Sequence, residues 1–232
     1  MSSVQPTSPP AIPPLRPGDR LTRAEFERRY DAMPHAKKAE LIEGVVFMRS
    51  PVRMNRHGKP HGSLITWMGT YKAHTPGVLL GDNTTDRLDD DNEYQPDGML
   101  MIDPALGGQA IISADDYVEN APELVGEISA SSASFDLHTK KTVYRRTGVR
   151  EYIVWRVLDE QLDWFTLRAG EYESIQPDEQ GILKSEIFPG LWLDVAALMT
   201  DDLRRVLAVL HDGLASPDHA AFVKRLLIQK QA

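Results

Sequence analysis

Residues 121–155 contain three segments of different character, which read APELVGEIS (121–129), FDLHTKK (135–141) and GVREYIVW (148–155). The first segment is apolar and has one carboxylate, Glu127, close to its end. The last is a run of β-branched and aromatic residues, and both compositions are typical of mostly buried strands. The middle segment has the spacing of a helix. The pattern therefore predicts a strand, a helix and a strand in succession, as in an α/β domain.

The predicted helix carries a stripe of functional side chains. Asp136, Lys140 and Tyr144 recur every four residues, so they share one face of the helix. Gly148 stands where a residue in the left-handed conformation would end that helix. This geometry predicts that Lys140 meets the carboxylate of Glu127 at one strand end.

A second carboxylate lies upstream, because Asp97 directly precedes the apolar run GMLMI (98–102). On a neighbouring strand, Asp97 would stand beside Glu127. Two carboxylates on rigid strands bind Mg²⁺ or Mn²⁺ through oxygen, and a nearby lysine stabilises charge or helps to activate water. Each residue also has an ordinary structural alternative: Asp97 as a strand-start cap, Glu127 as a solvated strand end and Lys140 as a surface lysine.

Several motifs in this order resemble the Uma-type family of restriction-endonuclease-like proteins, within the PD-(D/E)XK nuclease superfamily. The matching motifs span about residues 20–195 and are AELIEG (39–44), MRSP (48–51), His61, QPD (95–97), APEL (121–124) to Glu127, Asp136 to Lys140, and GVREY (148–152). The resemblance implies a restriction-endonuclease-like fold. In that fold a mixed β-sheet of four or five strands is flanked by helices.

The resemblance also implies a set of catalytic residues. Asp97 and Glu127 would carry the metal, with Glu40 assisting, although from the sequence alone Glu43 competes with Glu40. The third residue of the superfamily's Glu-x-Lys motif is Ser129 here. The catalytic lysine would therefore have moved to the following helix, where Lys140 is the candidate and Asp136, four residues earlier, would position it.

These residues predict a metal-dependent endonuclease that hydrolyses DNA phosphodiester bonds with Mg²⁺ or Mn²⁺ as cofactor. One alternative from another class is a non-catalytic binding or scaffold protein that keeps the nuclease fold. A metal-dependent hydrolase of another phosphoester cannot be separated from the first hypothesis by sequence.

Three further residues are candidates for substrate contacts: His61, Lys141 and Arg145. His61 matches the family's histidine, and a capping or core histidine is its alternative. His57 lies four residues before it, but we expect Gly58 and Pro60 to prevent the helix that would place both imidazoles on one zinc ion. Lys141 and Arg145 belong to a basic helix face, for which ordinary solvation is the alternative.

The composition describes a globular protein of 232 residues with a net charge of −8. This charge argues against nonspecific coating of nucleic acid, which relies on clustered Lys and Arg. The absence of cysteine removes disulfides and thiolate zinc sites, so any metal must be held by oxygen or imidazole. No apolar run of about 18 residues exists to cross a membrane, and we expect a cytoplasmic protein.

The chain divides by pattern into three parts. Residues 1–18 hold six prolines among small residues and predict a disordered or extended arm. Residues 19–198 form the restriction-endonuclease-like domain with added antiparallel strands. The acidic stretch 82–93 within it is predicted to be a solvated hairpin region between strands at 78–80, 86–88 and 95–102. Residues 199–232 predict a C-terminal helical extension. Its apolar faces and the aromatic strands would suit a homodimer.

Overall fold

The computed structural model describes residues 11–35, 38–48, 51–130 and 132–229. Seven α-helices lie in these ranges: α1 (Arg23–Asp31), α2 (Lys59–His74), α3 (Ala133–Phe135), α4 (Lys141–Thr147), α5 (Val195–Met199), α6 (Leu203–Leu214) and α7 (Pro217–Gln229). Two π-helical turns, Met54–Gly58 and Asp136–Lys140, lead into α2 and α4. None of these helices is both long and apolar enough to span a membrane.

Fourteen strands are found in the same part of the chain. They are β1 (Ala39–Ile42), β2 (Val45–Met48), β3 (Val78–Gly81), β4 (Asp86–Asp89), β5 (Asn92–Tyr94), β6 (Gly98–Ile102), β7 (Ile111–Ile112), β8 (Val118–Glu119), β9 (Leu124–Ser129), β10 (Glu151–Arg156), β11 (Gln161–Arg168), β12 (Glu171–Ser174), β13 (Ile182–Lys184) and β14 (Trp192–Asp194).

The central sheet has the order β12-β11-β10-β9-β6-β3. Only the β9–β10 pair in it is parallel, because the helical segment between these strands returns the chain to the same edge. The strand, helix and strand predicted from residues 121–155 are therefore confirmed. The sheet is mixed and flanked by helices, as expected, and has six strands rather than four or five.

A second sheet has the order β2-β1-β5-β4-β8-β7, and β13 pairs with β14 alone. The two faces of the central sheet bury different clusters. One face packs against α2 and the C-terminal helices and includes Trp67, Ile153 and Leu210. The other includes Tyr94, Val143 and Tyr152 and is closed by α4. The predicted C-terminal helices are present as α6 and α7, and their apolar faces join the first cluster.

The arm predicted at residues 1–18 is anchored where it meets the domain. Residues 1–10 lie outside the described ranges, but Leu15 is buried beside Phe26 and Leu41, and the Gly18 N–H donates to the carbonyl of Val46. One apolar side chain and backbone pairing therefore hold residues 15–18 against the domain. Helix α1 follows this segment, with the Thr22 side chain accepting a bond from the Glu25 N–H at its start.

The strand predicted at 86–88 is present as β4, but the prediction that the acidic stretch 82–93 is solvated was wrong in part. This segment contains β4 and β5, and Asp86 and Glu93 are buried in the second sheet. Burial raises the pKa of Asp86 well above its usual range, because desolvation disfavours the charged form. Its neighbour Arg87 offsets the local carboxylates through ion pairs with Glu27 and Asp115.

The side chain of Glu151 in β10 links the central sheet to the segment after β13 by hydrogen bonds. Its carboxylate accepts hydrogen bonds from the Ser185 hydroxyl and the Trp164 ring N–H, at 2.7 and 3.2 Å. It also accepts bonds from the backbone N–H groups of Glu186 and Ile187, at 2.7 and 3.1 Å. One buried acceptor therefore satisfies four donors.

We expect Glu151→Ala to lower the free energy of unfolding by about 2–3 kcal/mol, because it leaves buried donors without an acceptor. Chemical denaturation measures this change. Glu173→Ala is the matched control, since Glu173 is exposed and its ion pair with Arg168 lies at the surface. Equal stability of the two variants would contradict the anchoring role.

Glu151 also predicts a pH dependence. Burial raises its pKa to about 7 from the ordinary 4.5, so the folded chain holds a proton that the unfolded chain releases. Its contribution to stability is complete below the unfolded pKa and is lost as pH rises through the folded pKa. The free energy of unfolding should therefore fall between about pH 5 and about pH 8 more steeply in wild type than in Glu151→Gln. Parallel pH profiles would contradict this assignment.

Candidate active site

Two carboxylates face each other across the β6–β9 pair. Gly98 lies opposite Gly126 in the antiparallel register, so the next residues along each strand, Asp97 and Glu127, are also opposed. Asp97 Oδ2 accepts a hydrogen bond from the Ile128 N–H at 2.7 Å, and both carboxylates are almost fully buried. The structure therefore brings together the two residues that the sequence proposed as metal ligands.

Lys140 joins this pair to a third carboxylate. Its Nζ lies 2.7 Å from Glu127 Oε1 and 3.2 Å from Glu40 Oε1, and all three side chains are 1% exposed. Tyr144 donates to Glu127 Oε1 at 3.0 Å. Burial raises the pKa of Tyr144 well above its usual range, which keeps this hydroxyl protonated. Lys140 is thus a buried ion-pair residue and not a surface lysine.

The structure separates Glu40 from its competitor Glu43. Glu40 lies in β1, where it accepts from the Gln95 N–H at 3.0 Å in addition to Lys140. Glu43 occupies the turn after β1 with a left-handed φ of 51° and is exposed, where it pairs with Arg146. Of Glu40 and Glu43, it is Glu40 that contacts the buried lysine.

Asp136 takes another partner than the one expected. Its Oδ2 accepts from the Ser132 hydroxyl at 2.6 Å, while Oδ1 is buried with no hydrogen-bond partner in the described residues. The predicted spacing of four places Asp136 and Lys140 at the two ends of one π-helical turn. Their shared inward face confirms the stripe, but the contact predicted between them is not formed.

The expectation that Gly58 and Pro60 break the helix between the histidines was wrong. The π-helical turn ending at Gly58 continues directly into α2, because the Lys59 N–H donates to the Met54 carbonyl, and Pro60 is accommodated as the second residue of α2. The rings of His57 and His61 consequently stack with centroids 5.5 Å apart.

Both histidines face Asp97. His57 Nε2 lies 3.1 Å from Asp97 Oδ1, and His61 Nε2 lies 3.0 Å from the Asp97 backbone carbonyl. His61 also contacts Asp82 Oδ1 at 3.0 Å. Sequence reasoning missed the role of His57 at this carboxylate. The four-residue spacing with His61 was the signal that could have revealed it.

An open cleft of about 940 Å³ lies over this group. Asp97 and Glu127 do not line the cleft themselves, but their hydrogen-bond partners His57, Ile128 and Lys140 do. The residues that line it are Glu40, Ile42, Phe47, Met48, Pro51, Val52, Arg53, Arg56, His57, Ile128, Ala130, Ser132, Phe135, Asp136 and Lys140. The buried ionic group is thus reached from solvent through a cleft with polar and aromatic walls.

The donor atoms fit a hard divalent cation by their chemistry. Asp97 and Glu127 offer carboxylate oxygens, and Mg²⁺ is commonly held by one or two carboxylates, with water and substrate phosphate completing its shell. Within the described ranges no three His, Asp or Glu side chains are grouped so that they could hold a metal ion by themselves. A cation there would therefore depend on such additional oxygen ligands.

The two other predicted substrate contacts lie away from this cleft. Lys141 Nζ sits 3.4 Å from the centre of the Phe165 ring, and burial lowers the pKa of this lysine. Arg145 pairs with Glu171 at 2.7 Å. Besides Lys140, the cationic side chains among the described residues that line the cleft are Arg53 and Arg56. Sequence reasoning missed these two arginines, although they lie just before His57. Arg49 and Ser50 of the MRSP motif lie outside the described residues.

The sequence matches one protein family, and the fold resembles a solved structure. The model of the Uma2 family, described as "Putative restriction endonuclease", matches residues 23–196. The crystal structure of "a putative nuclease belonging to DUF820" from Anabaena variabilis has a TM-score of 0.56 at 12% identity, over 75% of this chain and 96% of that chain. At this identity the likeness shows the fold alone. No curated protein matches the chain.

The family match extends from the start of α1 into α5 and includes every candidate catalytic residue. It thus covers most of the chain, and its restriction-endonuclease-like character agrees with the mixed sheet described above. The chain belongs to the Uma2 family.

Proposed function

We propose that this protein is a metal-dependent endonuclease that hydrolyses phosphodiester bonds in DNA. Family membership and fold support a nuclease, and the observation that carries the finer proposal is the buried group of Glu40, Asp97, Glu127 and Lys140 beneath an open cleft. Buried charges cost free energy, so a cluster without function would be more stable if apolar.

Each residue has a defined task in this proposal. Asp97 and Glu127 hold Mg²⁺ or Mn²⁺, and Glu40 assists from β1. A bound cation supplies Lewis-acid neutralisation of the phosphate charge and a lower pKa for water. Lys140 orients the attacking water and offsets the negative charge that develops on the phosphate. Tyr144 and the Ile128 N–H hold the carboxylates in position through the bonds given above.

DNA enters the proposal as the substrate of a restriction-endonuclease-like family. A homodimer would supply two active sites for two strands, and it stays a prediction together with the cytoplasmic location. One observation favours the second candidate, a non-catalytic binding protein with a nuclease fold. Lys140 forms ion pairs with both Glu40 and Glu127, and these ion pairs occupy carboxylates that would otherwise bind a metal. The experiments below separate the two.

Asp97→Asn should lower cleavage by at least about 10²-fold, because it removes a metal-binding charge without changing side-chain shape. The assay follows supercoiled plasmid and single-stranded DNA with Mg²⁺ and with Mn²⁺. Asp212→Asn, a change at an exposed residue of α6, is the matched control. Undiminished cleavage by Asp97→Asn would refute this site. Absence of cleavage by wild type, with calorimetric metal binding that depends on Asp97, would favour the binding protein.

Lys140→Ala should destabilise the fold by about 3–5 kcal/mol as well as abolish cleavage, since it leaves two buried carboxylates without their cation. The double change Glu40→Gln with Lys140→Met removes one charge of each sign. We expect the double variant to be more stable than Lys140→Ala in thermal unfolding and still unable to cleave DNA. Cleavage by a folded variant lacking Lys140 would disprove the catalytic role of this lysine.

A further inference from the structure

Two aromatic rings lie in the wall of the cleft beside the buried ionic group. Phe47 and Phe135 have ring centroids 4.9 Å apart with planes inclined by 42°. Phe47 is 36% exposed although it lies in a strand, and Phe135 is half-buried. An exposed phenylalanine in a cleft is an apolar surface available to a ligand.

The register of the β1–β2 hairpin places this surface next to the proposed catalytic group. Phe47 is directly opposite Glu40 in the antiparallel pair, and directly opposed side chains project from the same face of a sheet, roughly 5 Å apart at Cβ. Phe135 directly precedes the π-helical turn that ends at Lys140. A base stacked on the two rings would therefore lie next to Glu40 and Lys140, so the phosphate beside that base could reach the proposed catalytic group.

The charges near these rings suit a phosphate backbone. Arg53 and Arg56 are exposed residues of the same cleft, and neither forms an ion pair with another described residue. Their guanidinium groups are available to phosphates on either side of a stacked base. The chain as a whole has a net charge of −8, which disfavours the long basic footprint of a protein that lies along a duplex.

A base in a duplex is stacked between its neighbours and does not offer its face to a protein ring, whereas an unpaired base does. We infer that the strand bound in this cleft is unpaired at the catalytic centre. A base stacks on Phe47 and Phe135, and the flanking phosphates contact Arg53 and Arg56. This inference rests on the proposed nuclease function and specifies its substrate as single-stranded or locally opened DNA.

Binding of fluorescein-labelled oligonucleotides of about 20 nucleotides tests it, with the same strand free or paired to its complement and EDTA present so that no strand is cut. Fluorescence anisotropy should show the single strand bound at least about tenfold more tightly than the duplex. Phe47→Ala should weaken single-strand binding by about tenfold and duplex binding by less than about twofold. Phe47→Trp keeps an aromatic ring and should retain single-strand binding. The control Leu158→Ala removes another exposed apolar side chain, outside the cleft, and should bind as wild type does.

Equal or tighter binding of the duplex, absence of binding to both, or equal effects of Phe47→Ala and Leu158→Ala would overturn the inference. The cleavage assay keeps its failure distinct from failure of the nuclease proposal. Asp97-dependent cleavage without single-strand preference would leave the nuclease and remove this substrate class. Phe47-dependent binding of single strands without any cleavage would support the single-strand site and contradict the nuclease proposal.

Discussion

The ion pairs of Lys140 with Glu40 and Glu127 join parts of the chain that are distant in sequence. Glu127 belongs to the central sheet, Glu40 to the second sheet, and Lys140 to the helical segment between β9 and β10. A buried charge is tolerated only when its partners are fixed at short distance. The position of the second sheet on the first is therefore tied to the geometry of this one ammonium group, and the cleft lies where the two sheets meet.

Close packing of α2 on the central sheet provides the second constraint. A Cβ atom added at Gly98 would lie 3.1 Å from both Ile65 Cδ1 and Met68 Sδ, and one at Gly126 would lie 3.1 Å from Leu64 Cδ2. Glycine at these opposed positions lets the helix approach the strands directly beside Asp97 and Glu127. The start of this helix and the π-helical turn before it place His57 and His61 against Asp97. The close packing of the helix on the strands therefore also positions the histidines that contact this carboxylate.

The sequence predicted those features that depend on local periodicity. The apolar run ending at Glu127 and the four-residue spacing of Asp136, Lys140 and Tyr144 were sufficient to place a lysine at a carboxylate. Features that depend on tertiary contacts were not predictable in this way. Glu40 and Glu43 flank one turn, and only the pairing of β1 with its neighbours buries one and exposes the other. The burial of Asp86 was not predictable either, because nothing in an acidic stretch distinguishes the residue that the second sheet encloses.

The position of Lys140 bears on the proposed migration of the catalytic lysine away from residue 129. Side chains at 127 and 129 project from the same face of β9, because alternate residues of a strand share a face. A lysine at 129 would thus approach the carboxylates from the strand itself. Ser129 is fully buried and its hydroxyl lies 3.3 Å from that of Ser132, at the entry to the helical segment. The ammonium group of Lys140 reaches Glu127 from that segment instead, which is the contact that the proposed migration of the catalytic lysine requires.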